Sequence, residues 1–358
     1  MARAPAPTIP QTLLEALLMV TRGRLCLIAC RSGSEFTKRI IDELDRIYSQ
    51  DQTLDRFQFT SSDEVVFANR EIKTVINDNV RGQDIYVVQC IDDPMVQDRS
   101  VNDNLMAVCT AVNAAYNSDA ASVTAVLPQF PYARQERKKA RESITAQQVA
   151  RFLEASGANR IITIDIHAEA IEGFLWRAHL ENLHAHRVIT SYFRQHLAVP
   201  NMIVVAPDVG SADRGRTYAS SLGTGLAIVD KERNYEQPST IKKMSLVGDV
   251  RGKNVFMGDD LVATGGTLLN AARLCKEKGA EKIFFACTLP FLSGKAHEKF
   301  DKAREEGLFD GFIGTDAVFR GPQFMAEHPW YHEVSVAPLF AHVIHNINVK
   351  RSVSELLA

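Results

Sequence analysis

The 358-residue sequence predicts an α/β protein built of two similar domains, each a mainly parallel sheet flanked by helices. Three observations carry that reading. Short apolar runs rich in β-branched residues recur at 25–29, 85–90, 123–127, 161–165, 203–206, 226–229, 255–257 and 283–288. Amphipathic stretches of helical period lie among them at 36–48, 102–115, 145–155, 212–221 and 267–278. Strands alternating with helices of this length are βαβ units, whose strands lie parallel. The runs also fall into two sets that divide near Ala185 with no low-complexity linker. The expected domains are therefore 24–185 and 186–350, closely joined, behind an N-terminal extension 1–23.

Composition narrows the function. At 46% apolar and 23% charged, the chain is of ordinary soluble type and long enough for two cores. A net charge of −2 gives no global field to recruit nucleic acid or an anionic membrane. The six cysteines form no Cys-x-x-Cys pair and most lie in apolar runs, as buried thiols of a reducing compartment do. Within the extension, the apolar piece 13–20 is interrupted by Glu15 and is too short to span a bilayer. No secretory leader is evident, so the chain is expected to be cytoplasmic, with no membrane and no nucleic-acid partner.

Taken in order, four strand ends carry chemistry. After the run 123–127 comes FPYARQERKKAR (130–141), which places Arg134, Arg137, Lys138, Lys139 and Arg141 in eight positions. Such a run is commonly a solvated face, but behind a strand and an aromatic-Pro turn it suits a mobile cationic lid over polyphosphate. The run 161–165 leads into TIDIHAEAIEGF (163–174), where Asp165 and His167 are expected on one strand face, able to hold or orient a divalent metal. The run 203–206 ends in VVAPDVGSADR (204–214), with Asp208 before a Gly-containing turn.

The fourth is the most specific: NVFMGDDLVATGGT (254–267) reads as strand, paired carboxylates Asp259 and Asp260, small-residue loop Thr264-Gly265-Gly266-Thr267, then helix. Glycines let backbone N–H groups turn inward and the helix N-terminus adds partial positive charge, so the loop suits a phosphate. The aspartates would sit where a ribose presents vicinal hydroxyls.

The string 254–267 resembles the phosphoribosyl-diphosphate loop of the phosphoribosyltransferases. With FPYARQERKKAR, TIDIHAEAIEGF, VVAPDVGSADR, IVDKERN (228–234), the segment 67–89 and SVAPLFAHVI (335–344), the chain from about Arg24 to near its end resembles the ribose-phosphate diphosphokinase family. The resemblance implies two phosphoribosyltransferase-like domains. It also implies ATP and ribose 5-phosphate as substrates, Mg²⁺ as cofactor, diphosphoryl transfer to the anomeric hydroxyl, and a homo-oligomer, dimer or hexamer. It further assigns Phe67, Asn69, Glu71, Arg134, Gln135, Arg137 and His167 to ATP, the first three from a neighbouring subunit. Asp208, Asp259, Asp260, Thr264, Gly265, Gly266 and Thr267 go to ribose 5-phosphate, His167 and Asp208 to the metal, and Lys231, Arg233 and Arg134 to catalysis.

The sequence departs from that family's pattern in places. Ala263 stands where the ribose loop commonly has a third aspartate, Ser211 replaces a glycine, and extra residues occur around 176–183 and 319–331. Two other readings stay open on these grounds: a non-catalytic regulatory homologue, and a base-using phosphoribosyltransferase.

Overall fold

The computed structural model describes residues 22–50, 57–233 and 241–357; the side chains of 231–233, 241–243 and 357 lie outside that description, as does most of the N-terminal extension. The first half runs β1 (Leu25–Ala29), α1 (Ser34–Gln50), β2 (Gln58–Thr60), β3 (Ser62–Val66), β4 (Ile72–Ile76), β5 (Asp84–Val88), α2 (Val101–Asn117), β6 (Ser122–Val126), α3 (Thr145–Ser156), β7 (Arg160–Ile164) and β8 (His179–Leu183). The second runs α4 (His186–His196), β9 (Met202–Ala206), α5 (Ala212–Leu222), β10 (Gly225–Arg233), β11 (Ile241–Val247), β12 (Asn254–Leu261), α6 (Gly266–Glu277), β13 (Ile283–Leu289), α7 (Ala296–Glu305), β14 (Gly311–Thr315), α8 (Gly321–Glu327), β15 (Tyr331–Val334), α9 (Ala337–Asn348) and α10 (Ser354–Leu357).

Two sheets result. The first has the order β2-β1-β5-β6-β7-β8 and all its pairings are parallel. The second has the order β11-β10-β9-β12-β13-β14-β15 and is parallel except for its edge pair β10–β11. A separate antiparallel hairpin, β3–β4, accompanies the first sheet. All eight apolar runs are strands, and the fold class is two phosphoribosyltransferase-type α/β units.

Both faces of each sheet are covered, which is why the strands read as continuous apolar runs rather than alternating ones. In β1, Leu25 and Leu27 pack on one side with α1 residues Phe36, Ile40 and Leu44. Cys26 and Ile28 pack on the other with α2 and α3 residues such as Val108 and Val149. The core on the Leu25 side is shared between the sheets. It continues through Ile189 and Phe193 of α4 to Val204, Phe256 and Phe284 of the second sheet, and takes in Phe340 and Ile344 of α9. A third core, Met257, Leu268, Phe285, Phe300, Phe312 and Trp330 among others, fills the far side of the second sheet. The close joining expected from the missing linker thus takes the form of a common core.

Helix α9 fastens the arrangement. Phe340 meets Phe36 edge-on at 5.2 Å, and Asn348 Nδ2 donates to Asp84 Oδ2 and to the Gly23 carbonyl, both at 3.0 Å. Arg39 of α1 donates to Asp316 at 2.7 Å and to Glu333 at 3.0 Å across the two halves. All six cysteines are buried and free, and no helix of the described residues is long and apolar enough to cross a membrane.

Candidate active site

Parallel α/β sheets place ligands beyond the carboxyl ends of their strands. Here the ends of β6, β7, β9 and β12 face one cavity of about 950 Å³. Arg134, Gln135 and Arg137 line it from the loop after β6, His167 from the loop after β7, and Asp208 from the loop after β9. Asp259 and Asp260 at the end of β12, and the loop Thr264, Gly265, Gly266 and Thr267, complete it.

The phosphate loop has a structural reason for its glycine. Gly265 has φ +73 and a Cβ there would lie 2.5 Å from the Phe300 ring, so any side chain is excluded by both backbone and space. Gly265 is also the N-cap of α6 and makes no side-chain cap, so the first-turn N–H groups of Gly266, Thr267 and Leu268 have no intrahelical acceptor and border the cavity.

The carboxylate pair is built asymmetrically. Asp260, 4% exposed, lies 2.6 Å from His167 Nδ1 and 3.2 Å from Arg214 Nη1. Asp259 accepts from Arg214 Nη1 at 2.9 Å and from the Asp260 N–H at 3.0 Å. Burial acts to raise the Asp260 carboxyl, but the His167 hydrogen bond and the Arg214 charge outweigh it and hold the group below the usual carboxylate range. Asp259 is pushed up, first by burial and then by the adjacent Asp260 charge. One member of the pair is therefore a fixed anion, with His167 as its Nδ1–H donor. The other is a buried carboxyl ready to meet hydroxyls.

Asp208 caps its own turn. Ser211 N donates to Asp208 Oδ1 at 3.1 Å and Asp208 N donates to Ser211 Oγ at 3.2 Å. Ser211 has φ −95, so this place needs no glycine, and its hydroxyl closes the reciprocal box instead.

Two features differ from the sequence expectation, the place of Asp165 and the part played by Arg214. Strand β7 stops at Ile164 and Asp165 has φ +43, so Asp165 and His167 do not share a strand face. Asp165 turns away to bind the Thr288 hydroxyl, the Ala185 N–H at 3.2 Å and His184 Nδ1 at 3.1 Å, fastening three elements. Arg214, which joins both aspartates, was not singled out from the sequence. Phe67, Asn69 and Glu71 form the exposed turn of the β3–β4 hairpin, closed by Phe67 N to the Glu71 carbonyl at 2.9 Å, and do not line the cavity. Lys231 and Arg233 lie on β10, but their side chains are outside the described residues.

A parallel sheet with acidic residues at one strand end followed by a glycine loop and a helix N-terminus defines a phosphoribosyltransferase-type enzyme. Family models agree and go further. One described as the N-terminal domain of ribose phosphate pyrophosphokinase matches residues 25–157, and one described as a phosphoribosyl transferase domain matches 178–308. The ribose-phosphate pyrophosphokinase of Wolinella succinogenes is 39% identical over 292 residues, 81% of this chain and 88% of its own. That of Campylobacter jejuni is 37% identical over the same length and shares. The crystal structure of phosphoribosylpyrophosphate synthetase from Mycobacterium smegmatis superposes with a TM-score of 0.78 at 31% identity, covering 90% of this chain and 98% of that one. The chain belongs to the ribose-phosphate pyrophosphokinase family.

Proposed function

We propose that the enzyme transfers the β,γ-diphosphoryl group of ATP to the anomeric hydroxyl of ribose 5-phosphate, giving phosphoribosyl diphosphate and AMP. The carrying observation is the single cavity that joins a phosphate-binding helix N-terminus, a carboxylate pair and the cationic 134–137 segment. The loop Thr264–Thr267 takes the 5-phosphate on the α6 N–H groups, and Asp259 with Asp260 orients the ring hydroxyls. The C1 hydroxyl oxygen then attacks the β-phosphorus, the bond from that phosphorus to the α,β-bridging oxygen breaks, AMP leaves, and the hydroxyl proton passes to solvent.

Such a transfer asks the protein for positioning and for positive charge on the reacting oxygens. Arg134 and Arg137 supply that charge from the lid, with Gln135 beside them, and Lys231 and Arg233 are assigned to it from β10. Asp208 and His167, on two loops of the cavity, fit Mg²⁺, which binds through few protein donors and the phosphates it arrives with. Bound there, it would neutralise polyphosphate charge. Phe67, Asn69 and Glu71 are assigned to the adenine of a neighbouring subunit, which makes the active form a homo-oligomer, dimer or hexamer, of the cytoplasm. The test is AMP formation from ATP by the full-length chain, with dependence on both ribose 5-phosphate and Mg²⁺. Absence of AMP under those conditions contradicts the reading.

A further inference from the structure

Arg214 lines the catalytic cavity beside the carboxylate pair. It lies in the first turn of α5, and two glycines decide where that turn sits. At Gly215 a Cβ would lie 2.9 Å from Leu226 Cδ1 and 3.2 Å from Ala206 Cβ, so glycine lets α5 settle closely on β9 and β10. At Gly258, the residue before the pair, a Cβ would overlap the Tyr218 ring. Tyr218 is fully buried, packs on Phe256 at 5.1 Å and stands one helical turn after Arg214. The face of α5 that carries Arg214 is thus seated on the strand segment that carries Asp259 and Asp260.

The side chain serves both carboxylates. Arg214 Nη1 donates to Asp259 Oδ1 at 2.9 Å and lies 3.2 Å from Asp260 Oδ1. One nitrogen therefore fixes the two groups relative to each other. Among the described residues, the other group within ion-pair distance of either aspartate is His167, which reaches Asp260 alone. Burial acts against the Arg214 charge, but Asp260, Asp259 and the nearby Asp165 outweigh it and raise the pKa, so the guanidinium is a permanent cation.

We propose that Arg214 is the positioning residue for ribose recognition: by bridging Asp259 and Asp260 it fixes the spacing at which two neighbouring hydroxyls of the sugar are read, and so sets a preference for a vicinal diol. The inference rests on the proposed function, in which the pair orients those hydroxyls. A site built to hydrogen-bond a hydroxyl rejects the analogue that lacks it, because a buried polar group is then left unpaired. Without the bridge the two carboxylates take up independent positions, and a sugar with one hydroxyl binds about as well as a sugar with two.

The test is calorimetric titration of the full-length protein, with Mg²⁺ and a non-hydrolysable ATP analogue present, by ribose 5-phosphate and by 2-deoxyribose 5-phosphate. Wild type is compared with Arg214→Lys, which keeps a cation on a shorter stem without the planar fork, and with Arg214→Gln, which keeps a donor without the charge. Wild type should prefer ribose 5-phosphate by at least about fivefold, the low end for one hydrogen-bonded contact. In both variants that preference should fall to near unity through lost affinity for ribose 5-phosphate, while the affinity for the ATP analogue, titrated separately, stays unchanged. Either variant that melts as wild type does is sufficient. Equal weakening of both sugars with the preference kept would show a merely structural role and overturn the proposal, as would a wild type without preference. A wild type that binds the analogue but no ribose 5-phosphate would contradict the proposed function itself, and this inference with it.

Discussion

Asp259 and Asp260 are neighbours of identical chemistry, yet the structure assigns them unequal responses to the same substitution. In Asp260→Asn, the His167 contact at 2.6 Å and the Arg214 contact at 3.2 Å both lose their anion in a side chain only 4% exposed. Removing one partner of a buried charged pair typically costs about 3–5 kcal/mol. The amide oxygen still accepts one bond and Arg214 keeps Asp259, so we expect about 2–4 kcal/mol. In Asp259→Asn, a carboxyl whose ionisation is disfavoured by burial and by the Asp260 charge becomes neutral, and the Asp260–Arg214 bond survives. Stability should change by less than about 1 kcal/mol, in either direction. The assay is denaturant unfolding of both full-length variants at pH 7, read as a midpoint shift at constant slope. Equal destabilisation by the two substitutions would refute the asymmetric pair.

Four further outcomes follow from the same geometry. Ala263→Asp restores an acceptor beside the ribose hydroxyls and should lower the KM for ribose 5-phosphate by roughly 5- to 150-fold, the equivalent of about 1–3 kcal/mol, with little effect on the KM for ATP. His184 has its pKa raised, chiefly by its hydrogen bond to Asp165, so its contribution is fully present below the unfolded value of 6.5 and is lost as pH rises through the folded value. His184→Gln should therefore destabilise more at pH 6 than at pH 9, by about 1 kcal/mol or less because the ring is partly exposed; an equal loss at both pH values would contradict this. Amide exchange across 134–141 should slow when Mg²⁺ and a non-hydrolysable ATP analogue are added, whereas a simple solvated loop would show no change. Finally, mixing inactive Phe67→Ala with inactive Lys231→Ala should restore some activity if sites are shared between subunits; no rescue despite demonstrated subunit exchange would exclude sharing.

Much of this architecture was legible in the sequence because the fully covered strands are apolar end to end and their ends carry the polar side chains. The loop 264–267 could be read directly, since its function is in the backbone and glycine reports backbone. Arg214 could not: it sits on α5, and its reach to Asp259 follows from β9 lying beside β12, strands that are not consecutive in the chain. Asp165 misled for a local reason, as alternation places a side chain only while the strand continues, and φ +43 ends it one residue early. The hairpin β3–β4 was not read from the sequence. No residue of its strands, SDEVV and IKTVI, is fully buried, and neither strand is a continuous apolar run like those of the sheets.

The central claim is that two phosphoryl groups move as a unit from ATP to C1 of the sugar. Phosphorus NMR of the full-length enzyme with ATP, ribose 5-phosphate and Mg²⁺ follows each phosphorus separately. The account predicts that the β- and γ-signals of ATP are replaced by a coupled pair belonging to a diphosphate on the sugar, while the α-phosphorus appears as AMP. Formation of ADP with a singly phosphorylated C1, or release of inorganic phosphate without a sugar diphosphate, would contradict it.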